Sequence, residues 1–204
     1  MRIIVGIIST LLVLALSLAA YFYFINDDNS LEHPFENIAQ NLPDLPETSW
    51  LKLLPPEDYK ALEQMPPIIH DGEELPSSFD APGGLRQSQG LPDVMYSNKT
   101  VAALNGAIIR IGGYPVPLET NAKGEVTEFF LVPYPGACIH VPPPPPNQLI
   151  WVQSKKPFAV ENIYYPIWVT GELKIEQISN DLGDAAYTMN AFIVREIGED
   201  ELDF

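Results

Sequence analysis

The sequence predicts a mainly β protein: a small OB-like β-barrel, with a two-sheet β-sandwich as the alternative, joined to one N-terminal transmembrane helix. Three observations carry that expectation. From Val101 onward, short alternating or apolar stretches follow one another with turn signals between them, and no helical period intervenes. Prolines number 21 among 204 residues. Set against a usual share of roughly 5%, that abundance leaves room for few long helices and many fixed turns. Ile3 to Ile25 is almost unbroken apolar sequence, interrupted only by Gly6, Ser9, Thr10 and Ser17.

A membrane-spanning helix needs about 20 apolar residues to cross roughly 30 Å of hydrocarbon. Arg2 and the amino terminus precede the run and Asn26-Asp27-Asp28 follow it. The positive flank stays cytoplasmic, so residues 1–25 are expected to be a transmembrane anchor or uncleaved signal with the body of the chain exported. The expected location is the bacterial inner membrane, single pass, with the C-terminal domain in the periplasm. A cleaved signal is the alternative: Ser17-Leu18-Ala19 or Ala19-Ala20 offers small-residue cleavage, and release gives a soluble periplasmic protein. Tyr21-Phe22-Tyr23-Phe24 lengthens the run with residues suited to headgroup depth, which favours the anchor.

Residues 26–49 read as a polar linker punctuated by Asn, Asp and Pro. Residues 50–100 hold a short helix and an extended Pro-rich segment. "PEDYKALEQ", 56–64, has proline at its start and acids in its first turn, and Tyr59 and Leu62 are expected to pack on the domain. The β-barrel domain is expected over 101–197. "VAALNGAIIRIGGYPVPLE" reads as two strands broken at Gly112-Gly113, the first carrying Gly106, and Asn121 to Gly124 is the next turn. "EVTEFFLVPY", "QLIWV", "PIWVTGELKIEQI" and "AAYTMNAFIV" complete the set. Gly171, in the middle of a strand, marks a tight bend of the kind found at barrel corners. Residues 198–204, "GEDELDF", form an acidic tail.

Charge narrows the partners. With 11 Lys+Arg against 27 Asp+Glu the formal net charge is -16. Such a chain repels phosphate backbones, so no nucleic acid is expected. Partners with basic faces, or divalent cations, fit better. The single cysteine, Cys138, has no internal disulfide partner. In an oxidising compartment a lone thiol needs burial, a metal or a chemical task.

Cys138 and His140 stand two apart, so on an extended strand both side chains project from one face and can share a metal. Val141 precedes proline, which favours that extension. Thiolate plus imidazole suits zinc, with copper as the alternative. Two ligands do not complete a site; Glu119, Glu128, His70 and Met189 are the candidates for a third. The plain structural reading is a small buried Cys138 beside a hydrogen-bonded His140. A thiol-dependent enzyme is a third reading, but no orienting carboxylate, oxyanion motif, G-x-S-x-G or phosphate-binding glycine loop accompanies the pair. Pro142, Pro143, Pro144, Pro145 and Pro146 form a polyproline II rod on the order of 15 Å long. It is either a stiff connector between two strands or a preformed ligand for a partner's aromatic groove. Asn147 and Gln148 follow as amides able to tie down carbonyls or touch a ligand. Trp151 and Trp168 are expected in the core or at the barrel mouth, and His33 falls in the linker.

"GGYPVPLE", "VTEFFLVPYPGACIHVPPPPPNQ" and "PIWVTGELKI…LGDAAYTMNAFIV" resemble a widespread bacterial envelope family catalogued as a domain of unknown function. The resemblance covers residues 48–195, and the Cys-Ile-His-x-Pro-rich stretch is its most specific part. It implies exported proteins that accompany ABC transporters of the lipoprotein-releasing or macrolide-export type, some in gene groups that look zinc-responsive. The matching positions are Glu119, Cys138, His140, Asn147 and Gln148. The resulting expectation is a membrane-anchored periplasmic protein linked to zinc, with Cys138 and His140 as ligands and Glu119 as a ligand or supporting carboxylate. The alternative is a non-enzymatic adaptor to an ABC transporter, with Cys138 merely buried.

Overall fold

The computed structural model of the chain describes residues 45–65, 85, 91–137, 143–198 and 201. All of them belong to one unit, Pro43–Phe204. The expected anchor and most of the linker lie outside the described residues, as do Cys138, His140, Pro142, His33 and His70. Among the described residues no helix is long and apolar enough to cross a membrane.

Five strands close into a barrel in the order β1-β2-β3-β5-β4. They are β1 (Ile108–Thr120), β2 (Val126–Val132), β3 (Ile150–Phe158), β4 (Ile167–Ser179) and β5 (Asp184–Glu196). All neighbours are antiparallel except β3 and β5, which run parallel. One closed sheet replaces the sandwich alternative. Strand alternation fills the barrel: Ile109, Ile111, Phe129, Leu131, Val152, Val169, Leu173, Tyr187 and Met189 meet in its core. Burial of this order contributes roughly 1.5–3 kcal/mol per large apolar side chain and is what closes the sheet.

The Gly112-Gly113 pair does not break the first strand. β1 runs straight through it and changes partner there, from β4 over Ile108 to Gly113 to β2 over Tyr114 to Thr120. A Cβ at Gly112 would meet the Trp168 ring at 3.0 Å, and one at Gly113 would meet the Val132 carbonyl oxygen at 2.7 Å. Both glycines are therefore close-approach residues rather than turn formers. The strand also begins later than its apolar pattern suggests. Ala102–Leu104 is a 3₁₀ turn, and Gly106 takes φ +79° before β1 starts.

The outward side of β1, β2 and β3 is apolar too. Tyr114, Val116, Phe130, Val132, Leu149 and Trp151 form a second cluster there with Ala137 and Leu85. The Leu85 N–H donates to the Leu182 carbonyl in the β4–β5 turn. α1 (Pro56–Glu63) begins at proline, as expected. Its buried residue is Asp58, however, while Tyr59 is exposed. The helix docks through a carboxylate because Ser97 and Asn147 offer it donors.

Candidate functional site

The β2–β3 connection, residues 133–149, carries the Cys138 motif, and its described parts are pinned at both ends. On the incoming side, Ala137 is fully buried in the outer apolar cluster beside Phe130, Val132 and Leu149. Tyr134 packs there too, and burial pushes its phenol up to about 12. On the outgoing side, Pro143, Pro144 and Pro145 are buried and lead into a 3₁₀ turn, Pro146–Gln148. A proline rod has no N–H to leave unsatisfied, so burial of its backbone costs less than for other residues.

Asn147 and Gln148 lock this end. The Asn147 side-chain amide donates to Asp58 Oδ2 at 2.9 Å and to the Lys99 carbonyl at 3.1 Å, while its backbone N–H donates to the Ser97 carbonyl at 3.1 Å. Gln148 Nε2 donates to the Trp50 carbonyl at 3.0 Å and the Asn147 carbonyl at 3.1 Å. Asp58, only 4% exposed, also accepts from Ser97 Oγ at 2.5 Å, with Lys99 Nζ at 3.5 Å from its other oxygen. Close by, the Tyr187 hydroxyl donates to the Leu53 carbonyl at 2.9 Å and accepts the Val101 N–H at 2.8 Å. Burial raises the Tyr187 pKa, opposed by that N–H. The segment before the barrel is thus stitched to the start of β3 and to β5.

Chemically this node is a clamp. The Ser97 hydroxyl donates its hydrogen bond to the Asp58 carboxylate and so helps hold α1 against the start of β3. Among the described residues, Asn147 Oδ1 is the side-chain polar atom of the node that is buried without a hydrogen-bond partner. Sequence reasoning had marked Asn147 and Gln148 but missed Asp58 and Ser97. The signal for Asp58 was slight, an acid in a helix's first turn, which ordinarily faces water.

Of the other metal candidates, Glu119, Glu128 and Met189 are among the described residues. Glu119 is exposed near the end of β1, paired across the ladder with Glu128, whose carboxylate accepts from Gln153 Nε2 at 3.1 Å. Val132, where the connection leaves the sheet, pairs with Tyr114. Glu119 lies five residues further along β1, on the order of 16 Å away at strand rise. Met189 is buried in the barrel core, so it is removed from any surface site. Among the described residues no group of three or more His, Cys, Asp or Glu side chains is placed to hold a metal ion.

The fold and this site define a class: a closed five-stranded barrel whose proline-rich β2–β3 connection is tied down on both flanks by burial and side-chain amides. The chain belongs to the family described as Protein of unknown function (DUF3299), which matches residues 50–196, from the turn before α1 to the end of β5. It is also similar to the crystal structure of a DUF3299 family protein from Pseudomonas aeruginosa PAO1. That protein is 38% identical with a TM-score of 0.58, over 76% of this chain and 98% of that one. No curated protein matches.

Proposed function

We propose that this chain is a membrane-tethered, periplasm-facing zinc-binding protein built on an OB-like barrel, with the Cys138 thiolate and the His140 imidazole as ligands. The β order and its single parallel β3–β5 pair support the OB-like reading. The observation that carries the metal reading is the double anchorage of the connection. Ala137 is buried immediately before Cys138, and Pro143 to Gln148 are buried or hydrogen-bonded a few residues after it. A metal site gains affinity when its ligands sit between fixed supports, since less chain is ordered on binding. Glu119 stands well along β1 from Val132, where the connection leaves the sheet, and its removal is expected to leave metal content unchanged.

In this reading Pro143 to Pro145 stiffen the connection and are not themselves read by a partner, because they are buried. An ABC transporter is the partner that the family resemblance suggests, with the N-terminal anchor keeping the site at the membrane.

Metal content tests this directly. Full chain extracted in detergent, dialysed against zinc or copper buffers and analysed by mass spectrometry, is expected to keep near-stoichiometric zinc. The Cys138→Ser/His140→Ala double variant is expected to lose it. Equal retention by both proteins, or none by either, would overturn the site; copper in place of zinc would correct the metal.

A further inference from the structure

β3 begins where the Cys138 connection ends and finishes at a cleft of about 220 Å³, bounded by the β3–β4 loop, the start of β4 and the end of β5. The apolar lining of the cleft continues the inward face of the barrel: Ile167 belongs to the core, and Phe158, Val160 and Val194 pack against it. Phe158 is held edge-on against Phe129, with ring centroids 5.3 Å apart. The volume is below the roughly 300 Å³ at which drug-sized pockets begin, so it suits one ring or a short alkyl chain.

The rim of the cleft is acidic. Glu196 pairs with Ile167 across the β4–β5 ladder, and directly opposed residues project from the same side of a sheet. Glu196 therefore stands on the inward side, where the cleft lies. Glu161 lines the cleft from the β3–β4 loop, and both acids are exposed. The cation beside Glu196 in the chain is turned the other way. Arg195 pairs with Trp168, whose ring lies on the outer face under Arg110 at 4.2 Å, and its guanidinium is taken by the Glu201 carboxylate at 2.6 and 2.8 Å. It does not neutralise the rim.

Tyr165 supplies an aromatic wall. The ring is 61% exposed, so it is available surface and not core. A turn fixes its position: Asn162 Oδ1 accepts the Tyr164 N–H at 2.9 Å, and the Asn162 carbonyl accepts the Tyr165 N–H at 3.1 Å. On the other side, the Ile197 N–H donates to the Pro166 carbonyl at 3.1 Å and ties the loop to the end of β5.

Two carboxylates and an aromatic face around an apolar recess of one-ring size match the chemistry of an organic ammonium ion. The acids attract its charge, the face of the tyrosine ring attracts it through the ring quadrupole, and the recess takes its apolar body out of water. The net charge of -16 raises the concentration of cations around the chain and repels anions from the same rim. We propose that this cleft binds a small organic ammonium ion carrying one ring or a short alkyl chain, with Glu161 and Glu196 about the nitrogen, Tyr165 beside it, and the apolar body between Phe158, Val160 and Val194. The site lies at the other end of β3 from the Cys138 connection and is independent of the proposed zinc site.

The test titrates the full chain in detergent with 2-phenylethylammonium, followed by saturation-transfer NMR. Neutral 2-phenylethanol and anionic 3-phenylpropionate, which carry the same ring, are the controls. Comparing each variant with the unaltered chain in the same detergent cancels partition of the ligand into micelles. The ammonium ion is expected to bind about five-fold more tightly than the alcohol, the scale of an exposed ion pair joined by a cation–π contact, and the carboxylate is expected not to bind. The Glu161→Gln/Glu196→Gln double variant is expected to bring the ammonium ion down to the level of the alcohol and to leave the alcohol unchanged. Tyr165→Ala is expected to weaken the ammonium ion about three-fold, with thermal unfolding showing the barrel intact. No binding of the ammonium ion, equal binding of ammonium and alcohol, or a preference for ammonium that survives the double variant overturns the proposal. If Tyr165→Ala lowers the unfolding temperature, Tyr165→Leu is the substitute: it keeps an apolar wall without the ring face, and unchanged ammonium binding overturns the proposal.

Discussion

Asp58 is a carboxylate in a place where carboxylates rarely go. Burying a charge is costly unless donors surround it, and here Ser97 Oγ, Asn147 Nδ2 and Lys99 Nζ all face it. The bond to the exposed Lys99 is screened by water and contributes little. Most of the effect comes from the buried Asn147 amide and the half-buried Ser97 hydroxyl, which lose their acceptor if the carboxylate is removed. Asp58→Ala is therefore expected to lower unfolding stability by about 2–3 kcal/mol, read as a drop in the urea midpoint without a change in slope. A midpoint equal to that of the unaltered chain would show that the clamp does not hold α1. Tyr187 works the same way on the neighbouring segment. Tyr187→Phe removes one donor and one acceptor in the buried bridge to Leu53 and Val101, and about 1–2 kcal/mol is expected to go with them.

Among the elements, β1 and β4 show how a short sheet is bent until it closes. β1 serves two partners in succession, and the change is made at glycines because Trp168 and the Val132 carbonyl come within contact of the backbone. The β4–β5 register shifts between Thr170 and Gly171, which pair with Ile193 and Ala191 and leave Phe192 of β5 as the extra residue. A Cβ at Gly171 would stand 2.5 Å from the Asn190 carbonyl oxygen and 2.8 Å from Met189 Cγ. The first of these is backbone in a paired strand, so it cannot swing away. Gly171→Ala is expected to cost about 1–3 kcal/mol through forced backbone shifts. Gly124, with φ +78° and open space around it, is the comparison: alanine there costs only its backbone conformation, about 1 kcal/mol. Thermal unfolding should rank Gly171→Ala below Gly124→Ala. The reverse order would mean that the corner at Gly171 relaxes freely.

For the molecule as a whole, pH and salt act through burial and net charge. Tyr134 titrates at about 12 in the folded chain against 10.0 for the ordinary phenol, because burial penalises the phenolate. The folded state thus holds a proton that the unfolded chain gives up. The associated stability is fully present below pH 10 and is lost as pH rises through 12. The amount is on the order of 2–3 kcal/mol, and burial of Tyr187 acts in the same direction. Urea midpoints should accordingly fall between pH 10 and 12, and Tyr134→Phe should flatten that fall. A Tyr134→Phe curve that superimposes on the unaltered one would remove Tyr134 as the cause. Near neutral pH, added salt is expected to raise stability modestly, since a net charge of -16 repels itself within a compact body.

The amino-acid sequence by itself determined that the body is mainly β, roughly where four of its strands lie, that the proline run links two of them, and that Asn147 and Gln148 are amides able to tie down carbonyls or touch a ligand. These features are local: alternation, turn residues and missing N–H groups act within a few positions of one another. Tertiary structure alone decided three things. It decided that Gly112-Gly113 continues a strand, because the reason for glycine is a ring and a carbonyl from β4 and β2. It decided that Asp58 is buried, since its donors Ser97 and Asn147 stand 39 and 89 residues away. It also decided that Glu119 lies far along the sheet from the point where the Cys138 connection departs. Distance along the chain carries no information about which groups a closing barrel brings face to face. Closure is imposed by the core, and the core is a property of all five strands at once.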